Sequence, residues 1–304
     1  MSTYLLLANR HLKKQLKHLL PLLHIAENAK GDILYYFDMQ PIGQYRYLSP
    51  VIDHIFGPDT MRQHLNNPNL VFEIVHPDDH GTFIKKTRGE IDYSKPILLR
   101  LRHQDGRYIW FEEYVSPVYE NGKIVALQGI YRNVEGKIEL QQKLEYRATH
   151  DRLTDLYNRD YFESQFDYYN LEVDAPVAIA ICDLDNVKQI NDTQGHKMGD
   201  VYIQESARLI KQTVGQQADV ARIGGDEFAL LFLHLSPGKI EVILNSIYKE
   251  VQIYNKSNRE FQICMSIGYA YSESSIQQMD PLFMSADNEM YKKKNQKKSS
   301  CSGN

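Results

Sequence analysis

Leu12, Leu16, Leu19, Leu20 and Leu23 recur at helical spacing among Arg10, Lys13, Lys14 and Lys17, which predicts an amphipathic helix within residues 3 to 24, ended by Pro21 or Gly31. Its apolar stripe calls for a partner. Packing on its own domain or on a second subunit is the simpler expectation, although a membrane surface suits the same basic pattern. From Gly31 to Arg132 the period shortens, and Asp32 to Phe37, Tyr45 to Ser49, Pro96 to His103, Tyr108 to Val118 and Ile124 to Tyr131 read as strands. Gln104-Asp105-Gly106 and Glu120-Asn121-Gly122 supply hairpin turns, because Asp-Gly and Asn-Gly accept positive φ at low cost. These runs predict an antiparallel sheet. A helix opens after His76-Pro77-Asp78-Asp79, where proline fits a first turn and the acids suit the helix dipole.

Residues 134 to 150 return to the helical period with no breaker after Gly136; Ile138, Gln141, Glu145 and Ala148 share a face, with Leu140 and Leu144 close by. A helical linker is expected, too short and polar for a coiled coil. Beyond Asp151, helices are predicted over Asn158 to Asp167, Gly199 to Val214, Pro237 to Tyr254 and Pro281 to Lys294. Strands are predicted over Val177 to Asp183, Asp219 to Ile223, Phe228 to His234 and Phe261 to Tyr271. This βαββαβ order predicts helices packed on a mainly antiparallel sheet, so the chain as a whole is expected to be α+β. The expected limits are a helix at 1–21, a sheet domain at 22–136, the linker at 137–150, a sandwich domain at 151–298 and a disordered tail at 299–304.

A length of 304 residues suits two such domains. With 35 basic and 39 acidic residues the net charge is -4, so no nucleic-acid partner is expected, while a local phosphate site stays open. Cys182, Cys264 and Cys301 show no metal-ligand spacing, and an odd count suits thiols in a reducing cytoplasm. Cys182 and Cys264 lie in apolar runs and read as core residues. No apolar run near the N-terminus approaches the ~20 residues of a membrane span, so neither a transmembrane segment nor a signal peptide is expected. His76, His80 and His103 stand isolated in turns and read as structural.

The chemistry concentrates in Ala221-Arg222-Ile223-Gly224-Gly225-Asp226-Glu227-Phe228, where two apolar strands flank a Gly-Gly turn followed by two acids. Bare backbone beside adjacent carboxylates suits a metal-bound triphosphate. A second acidic strand end, Asp183-Leu184-Asp185, follows the apolar run from Val177 to Ile181. Together Asp183, Asp226 and Glu227 offer oxygen ligands to one or two Mg²⁺ ions. Taken alone, Gly-Gly-Asp-Glu reads more simply as a surface hairpin with solvated acids.

Two resemblances sharpen this. Val75-His76-Pro77-Asp78-Asp79-His80, Arg100 to Trp110, and Gly129 to Val134 resemble a PAS domain over about residues 22 to 136. That implies a sensory or dimerising module with an unidentified ligand, and regulation of whatever follows. Asp151-Arg152-Leu153-Thr154-Asp155-Leu156-Tyr157-Asn158-Arg159, Asp183 through Lys188, Asn191-Asp192, Gly195-His196, Gly199-Asp200, Ser266-Ile267-Gly268, Ala286-Asp287 and Met290-Tyr291 resemble a GGDEF-domain diguanylate cyclase over about residues 147 to 298. The resemblance implies that two GTP molecules are condensed into cyclic di-GMP in a homodimer. It implies Mg²⁺, with Mn²⁺ as a substitute, held by Asp183, the Leu184 carbonyl, Asp226 and Glu227, the last two also catalytic. Asn191 and Asp200 would read guanine, and Lys188, Gly224, Gly225, Lys294 and Lys298 would face the phosphates. Asn158, His196 and Arg222 would support the site, the first two through hydrogen bonds.

Three departures qualify the resemblance. Lys297 and Lys298 replace the family's Gly-Arg, and lysine lacks arginine's bidentate fork. Gly215-Gln216-Gln217-Ala218 replaces the Arg-x-x-Asp pair that binds product, so no product inhibition is expected there. Val187 replaces an aromatic in a packing role. A GTP-binding effector module with little turnover is the rival reading, and a cyclase making a GMP-AMP dinucleotide is disfavoured by Asp200. With no EAL-type region in the sequence, synthesis without hydrolysis is expected.

Overall fold

The alternating stretches between Ile33 and Asn133 pair into one antiparallel sheet in a computed structural model that describes residues 31–40, 42–258 and 261–301, the last four as backbone only. The amphipathic helix expected within residues 3 to 24, and residues 302–304, lie outside the described residues. The strands β1 (Ile33–Asp38), β2 (Gln44–Leu48), β3 (Ile97–Arg102), β4 (Tyr108–Glu120) and β5 (Lys123–Asn133) lie in the order β2-β1-β5-β4-β3. Asn121 and Gly122 take φ of 50° and 77° to close the β4–β5 hairpin, the job their sequence suggested. Between β2 and β3 lie α1 (Val51–Phe56), α2 (Thr60–Asn66), α3 (Val71–Ile74) and α4 (His80–Arg88). Only α4 was expected, because helices this short carry too few apolar positions to show a period.

The core of this sheet unit holds an ion pair. Lys86 and Glu113 are 3% and 0% exposed; the ammonium donates to Oε1 and Oε2 at 2.8 and 3.1 Å, and the Tyr35 hydroxyl donates to Oε1 at 2.6 Å. Burial lowers the Lys86 pKa, and Glu113 opposes that shift. Removing one partner of such a pair strands a charge in low dielectric. Lys86→Met is therefore expected to destabilise this unit by about 3–5 kcal/mol, and Lys86→Met with Glu113→Leu by much less. Urea titration of both variants checks the difference.

The chain divides into two compact units between Gln142 and Lys143, inside helix α5 (Glu135–Thr149). In the second unit β6 (Val177–Leu184), β7 (Asp219–Arg222), β8 (Glu227–Leu233) and β9 (Met265–Ser272) form an antiparallel sheet in the order β7-β8-β6-β9. Every residue of β6 is buried, because its side chains alternate between two cores. Ala178, Ala180 and Cys182 face a cluster built on α7 (Val187–Gln194), α8 (His196–Val214) and α9 (Pro237–Ser257). Val177, Ile179 and Ile181 join a cluster built on α6 (Arg159–Leu171) and α10 (Met279–Cys301). The fold is α+β in both units.

The differences from expectation are local. Helix α7 was not anticipated, since among eight mostly polar residues only Val187 and Ile190 are buried. Val187 does pack in the core. Strand β9 begins at Met265 and not at Phe261: Ile263 bonds the Asn255 side chain instead of a neighbouring strand. Helix α8 starts three residues early at His196, and α10 runs on to Cys301, through the first part of the expected tail. Among the described residues no helix is long and apolar enough to cross a membrane.

Candidate active site

Strand β6 carries Asp183 to the sheet end, where its register partners are Glu227 on β8 and Ser266 on β9. The β7–β8 turn folds back there: Ile223 N and Gly224 N donate to the Glu227 carbonyl at 3.0 and 3.3 Å, and Leu184 N donates to the Asp226 carbonyl at 2.9 Å. Asp183, Asp226 and Glu227 thus share one end of the sheet. A Cβ on Gly224 would lie 2.6 Å from Glu227 Oε2, while a Cβ on Gly225 would meet nothing within 4 Å. Neither glycine has positive φ. A side chain at Gly224 would crowd the Glu227 carboxylate, and Gly225 leaves its backbone open.

The acids repel one another. Burial, then Asp183 and Asp226, push the Glu227 carboxyl above its usual range, and Asp287 adds to the shift. Burial also raises Asp183, against the Lys294 ammonium, which donates to Oδ1 at 2.5 Å. Burial alone would lower Lys294, but Asp183, Asp185 and Asp226 outweigh it and hold the ammonium above its ordinary value. Crowded, half-buried carboxylates of this kind fit a hard divalent cation in donor chemistry and in charge. Among the described residues, no three His, Cys, Asp or Glu side chains stand in ready ligand geometry. Lys294 sits on Asp183 in their place.

Lys294, expected to face phosphate, rests on Asp183 in this structure. Its neighbours also have work to do: Lys293 donates to the Ile267 carbonyl at 2.9 Å and Lys297 to the Met265 carbonyl at 2.5 Å, tying α10 to β9. The side chain of Lys298 lies outside the description. Lys188 is exposed and lines, with Leu184, Asp226 and Lys294, a cavity of about 1250 Å³ that also reaches Tyr248 and Cys264. Asn191 ends up on α7 against Gly199 of α8, with Asp200 exposed beside it. His196, expected to hold the loop, is exposed, and its side chain makes no hydrogen bond among the described residues.

Arg222 has a more definite place than its general supporting role suggested. Its Nε and Nη2 donate to the Gly225 carbonyl at 3.2 and 2.7 Å, and Nη1 donates to Asp151 Oδ1 at 3.1 Å. Asp151 also accepts from Thr154 N and Oγ1 at 3.0 and 2.7 Å. Burial alone would raise the Asp151 carboxyl, but Thr154 and Arg222 hold it below its ordinary value. Asn158 caps α6 through Tyr161 N at 2.9 Å and donates to the Ala148 carbonyl at 2.7 Å. The Gly-Gly turn is thus clamped to the segment that follows α5. Arg222→Gln is expected to weaken binding of a GTP analogue about tenfold with little change in melting temperature, as titration with a fluorescent analogue would read.

Comparison with known proteins bears on the same residues. A family model described as "Diguanylate cyclase, GGDEF domain" matches residues 148–300, and one described as "PAS fold" matches residues 45–131. The chain is 35% identical over 153 residues to the bifunctional diguanylate cyclase/cyclic di-GMP phosphodiesterase MucR of Pseudomonas aeruginosa, which covers 49% of this chain and 22% of that protein. It is 31% identical over 179 residues to the cyclic di-GMP phosphodiesterase PdeB of Shewanella oneidensis, covering 58% of this chain and 21% of PdeB. It is 25% identical over 285 residues to the probable diguanylate cyclase DgcE of Escherichia coli, covering 90% of this chain and 25% of DgcE. Each match therefore spans a quarter or less of the relative. Among solved structures, the coiled coil and GGDEF domain of DgcB from Caulobacter crescentus, in complex with c-di-GMP, is 29% identical at a TM-score of 0.48, covering 53% of this chain and 88% of that one.

Proposed function

Because the chain belongs to the GGDEF diguanylate cyclase family, we propose that it condenses two GTP molecules into cyclic di-GMP, working as a homodimer in the cytoplasm under control of its PAS unit. The observation that carries this reading is the convergence of Asp183, Asp226 and Glu227 on one end of the sheet beside an open Gly225 backbone, with Asp226 also lining the cavity that Lys188 and Lys294 line. Asp183, the Leu184 carbonyl, Asp226 and Glu227 are the residues that would hold Mg²⁺ or Mn²⁺. Bound there, the ion neutralises triphosphate charge and makes the ribose 3′-hydroxyl easier to ionise.

The chain's own part is positional. Gly224 and Gly225 admit the phosphates without side-chain interference. Asp200 accepts from the guanine N1-H and amino group, and the Asn191 amide exchanges hydrogen bonds with the base edge. Lys188 meets the phosphates as a point charge, and Lys294 does so once it leaves Asp183. The 3′-oxygen of one GTP then bonds to the α-phosphorus of the other, the bond to pyrophosphate breaks, and the hydroxyl proton passes to Glu227 or to solvent. A second, equivalent step closes the ring.

One half-site holds one GTP, so two chains must face each other. The Lys294 contact on Asp183 favours a second reading, a GTP-binding effector module in which the ammonium holds the metal position permanently. Incubating the purified protein with GTP and Mg²⁺ separates the two. Cyclic di-GMP from the parent, and none from Asp226→Ala with Glu227→Ala, supports the cyclase; bound but unconverted GTP supports the effector.

A further inference from the structure

Helices α7 and α8 meet at a sharp turn in which Gly195 takes φ of 85° and its N–H donates to the Asn191 carbonyl at 3.0 Å. The turn folds the end of α7 back onto the first turn of α8, and Asn191 lands on Gly199. A Cβ built on Gly199 would lie 1.9 Å from Asn191 Oδ1, 2.8 Å from its Cγ and 3.3 Å from its Nδ2. The volume that any other residue needs for its first side-chain carbon is filled by the Asn191 amide. Gly199 has no positive φ, so its backbone conformation is open to any residue. What requires glycine here is the asparagine.

Asp200 is the next residue along α8, so the contact also sets the position of the amide relative to that carboxylate. We propose that Gly199 is a specificity-determining positioning residue, whose missing side chain seats the Asn191 amide beside Asp200 so that the two read one guanine edge. This rests on the reading of Asn191 and Asp200 as the guanine contacts. The obstacle to a Cβ is the end of a rotatable side chain and not backbone. Alanine at 199 is therefore accommodated by Asn191 swinging to another rotamer, and helix α8 keeps its place, since alanine is the better helix former.

The test is a set of binding titrations on the full chain with Mg²⁺ and non-hydrolysable GTP and ATP analogues, for the parent, Gly199→Ala, Asn191→Ala and the double variant, each with a thermal melt. Gly199→Ala is expected to lose about tenfold in affinity for the GTP analogue, with ATP-analogue binding unchanged. It should match Asn191→Ala, and the double variant should be no weaker than either, because the added methyl acts only through the amide. Gly199→Ala with the parent's preference for GTP would overturn the proposal, as would losses that add in the double variant or fall equally on both nucleotides. If Gly199→Ala melts early and the double variant does not, the clash with Asn191 is still the cause and the proposal holds; if both melt early, it fails. Full guanine preference in Asn191→Ala would instead overturn the underlying assignment of Asn191.

Discussion

Gly268→Ala is expected to unfold the GGDEF unit at temperatures where the parent is native. Gly268 sits on β9 opposite Ile181, and its added Cβ would lie 2.1 Å from Met290 N, 2.3 Å from the Ala286 carbonyl oxygen and 2.8 Å from the Glu289 carbonyl carbon. All three atoms are backbone of α10, so no rotamer change relieves the clash. The helix must lift from the sheet, and with it the seats of Met279, Leu282, Ala286 and Met290 in the core that β6 shares. Overpacking of this kind costs about 3 kcal/mol. For a unit of this size that lowers the melting temperature by about 10 °C. A melt followed by circular dichroism checks it. Gly199 makes the instructive contrast, since a steric overlap just as short falls there on a side chain that can turn away.

Asp183→Asn is expected to abolish turnover while leaving the fold intact or firmer. Asp183 lies at the end of a fully buried strand, and burial together with Asp226 and Asp185 raises its carboxyl pKa, so the charge is held there against its own stability. The neutral isostere removes that repulsion, at the expense of the Lys294 contact. Under the proposed function it would also remove a charged ligand for the divalent ion, whose stabilisation of developing charge is worth several kcal/mol. The rate of cyclic di-GMP formation should fall about 10³-fold. Product chromatography beside a thermal melt distinguishes this from unfolding.

The elements legible in the sequence were those with strong periods and those with chemical punctuation. Strand β6 showed as an uninterrupted apolar run ending in an acid, and the structure turns that run into a strand buried on both faces. The β4–β5 hairpin showed through Asn121-Gly122. Helix α7 was missed because two buried positions in eight residues make no pattern, and the clustered short helices before His80 for the same reason. At the site, residue types revealed that carboxylates and glycines matter, but not which of two glycine properties was in use. Gly224 and Gly199 both lie close against a neighbouring side chain, a relation that depends on residues three and eight positions away folding back. In the sequence the lysines of α10 form one basic cluster, Lys292, Lys293, Lys294, Lys297 and Lys298. Their separation into a counter-ion for Asp183 and two ties to β9 carbonyls depends on how far the helix leans on the strand, which Gly268 sets and spacing alone does not reveal.

The most direct test follows GTP consumption, pyrophosphate release and cyclic di-GMP formation by the purified full chain with Mg²⁺ over a series of protein concentrations. A two-site cyclase should release two pyrophosphates for each cyclic di-GMP, with specific activity rising as the protein is concentrated and half-sites meet. GTP that binds the protein and is recovered intact at every concentration would contradict the account.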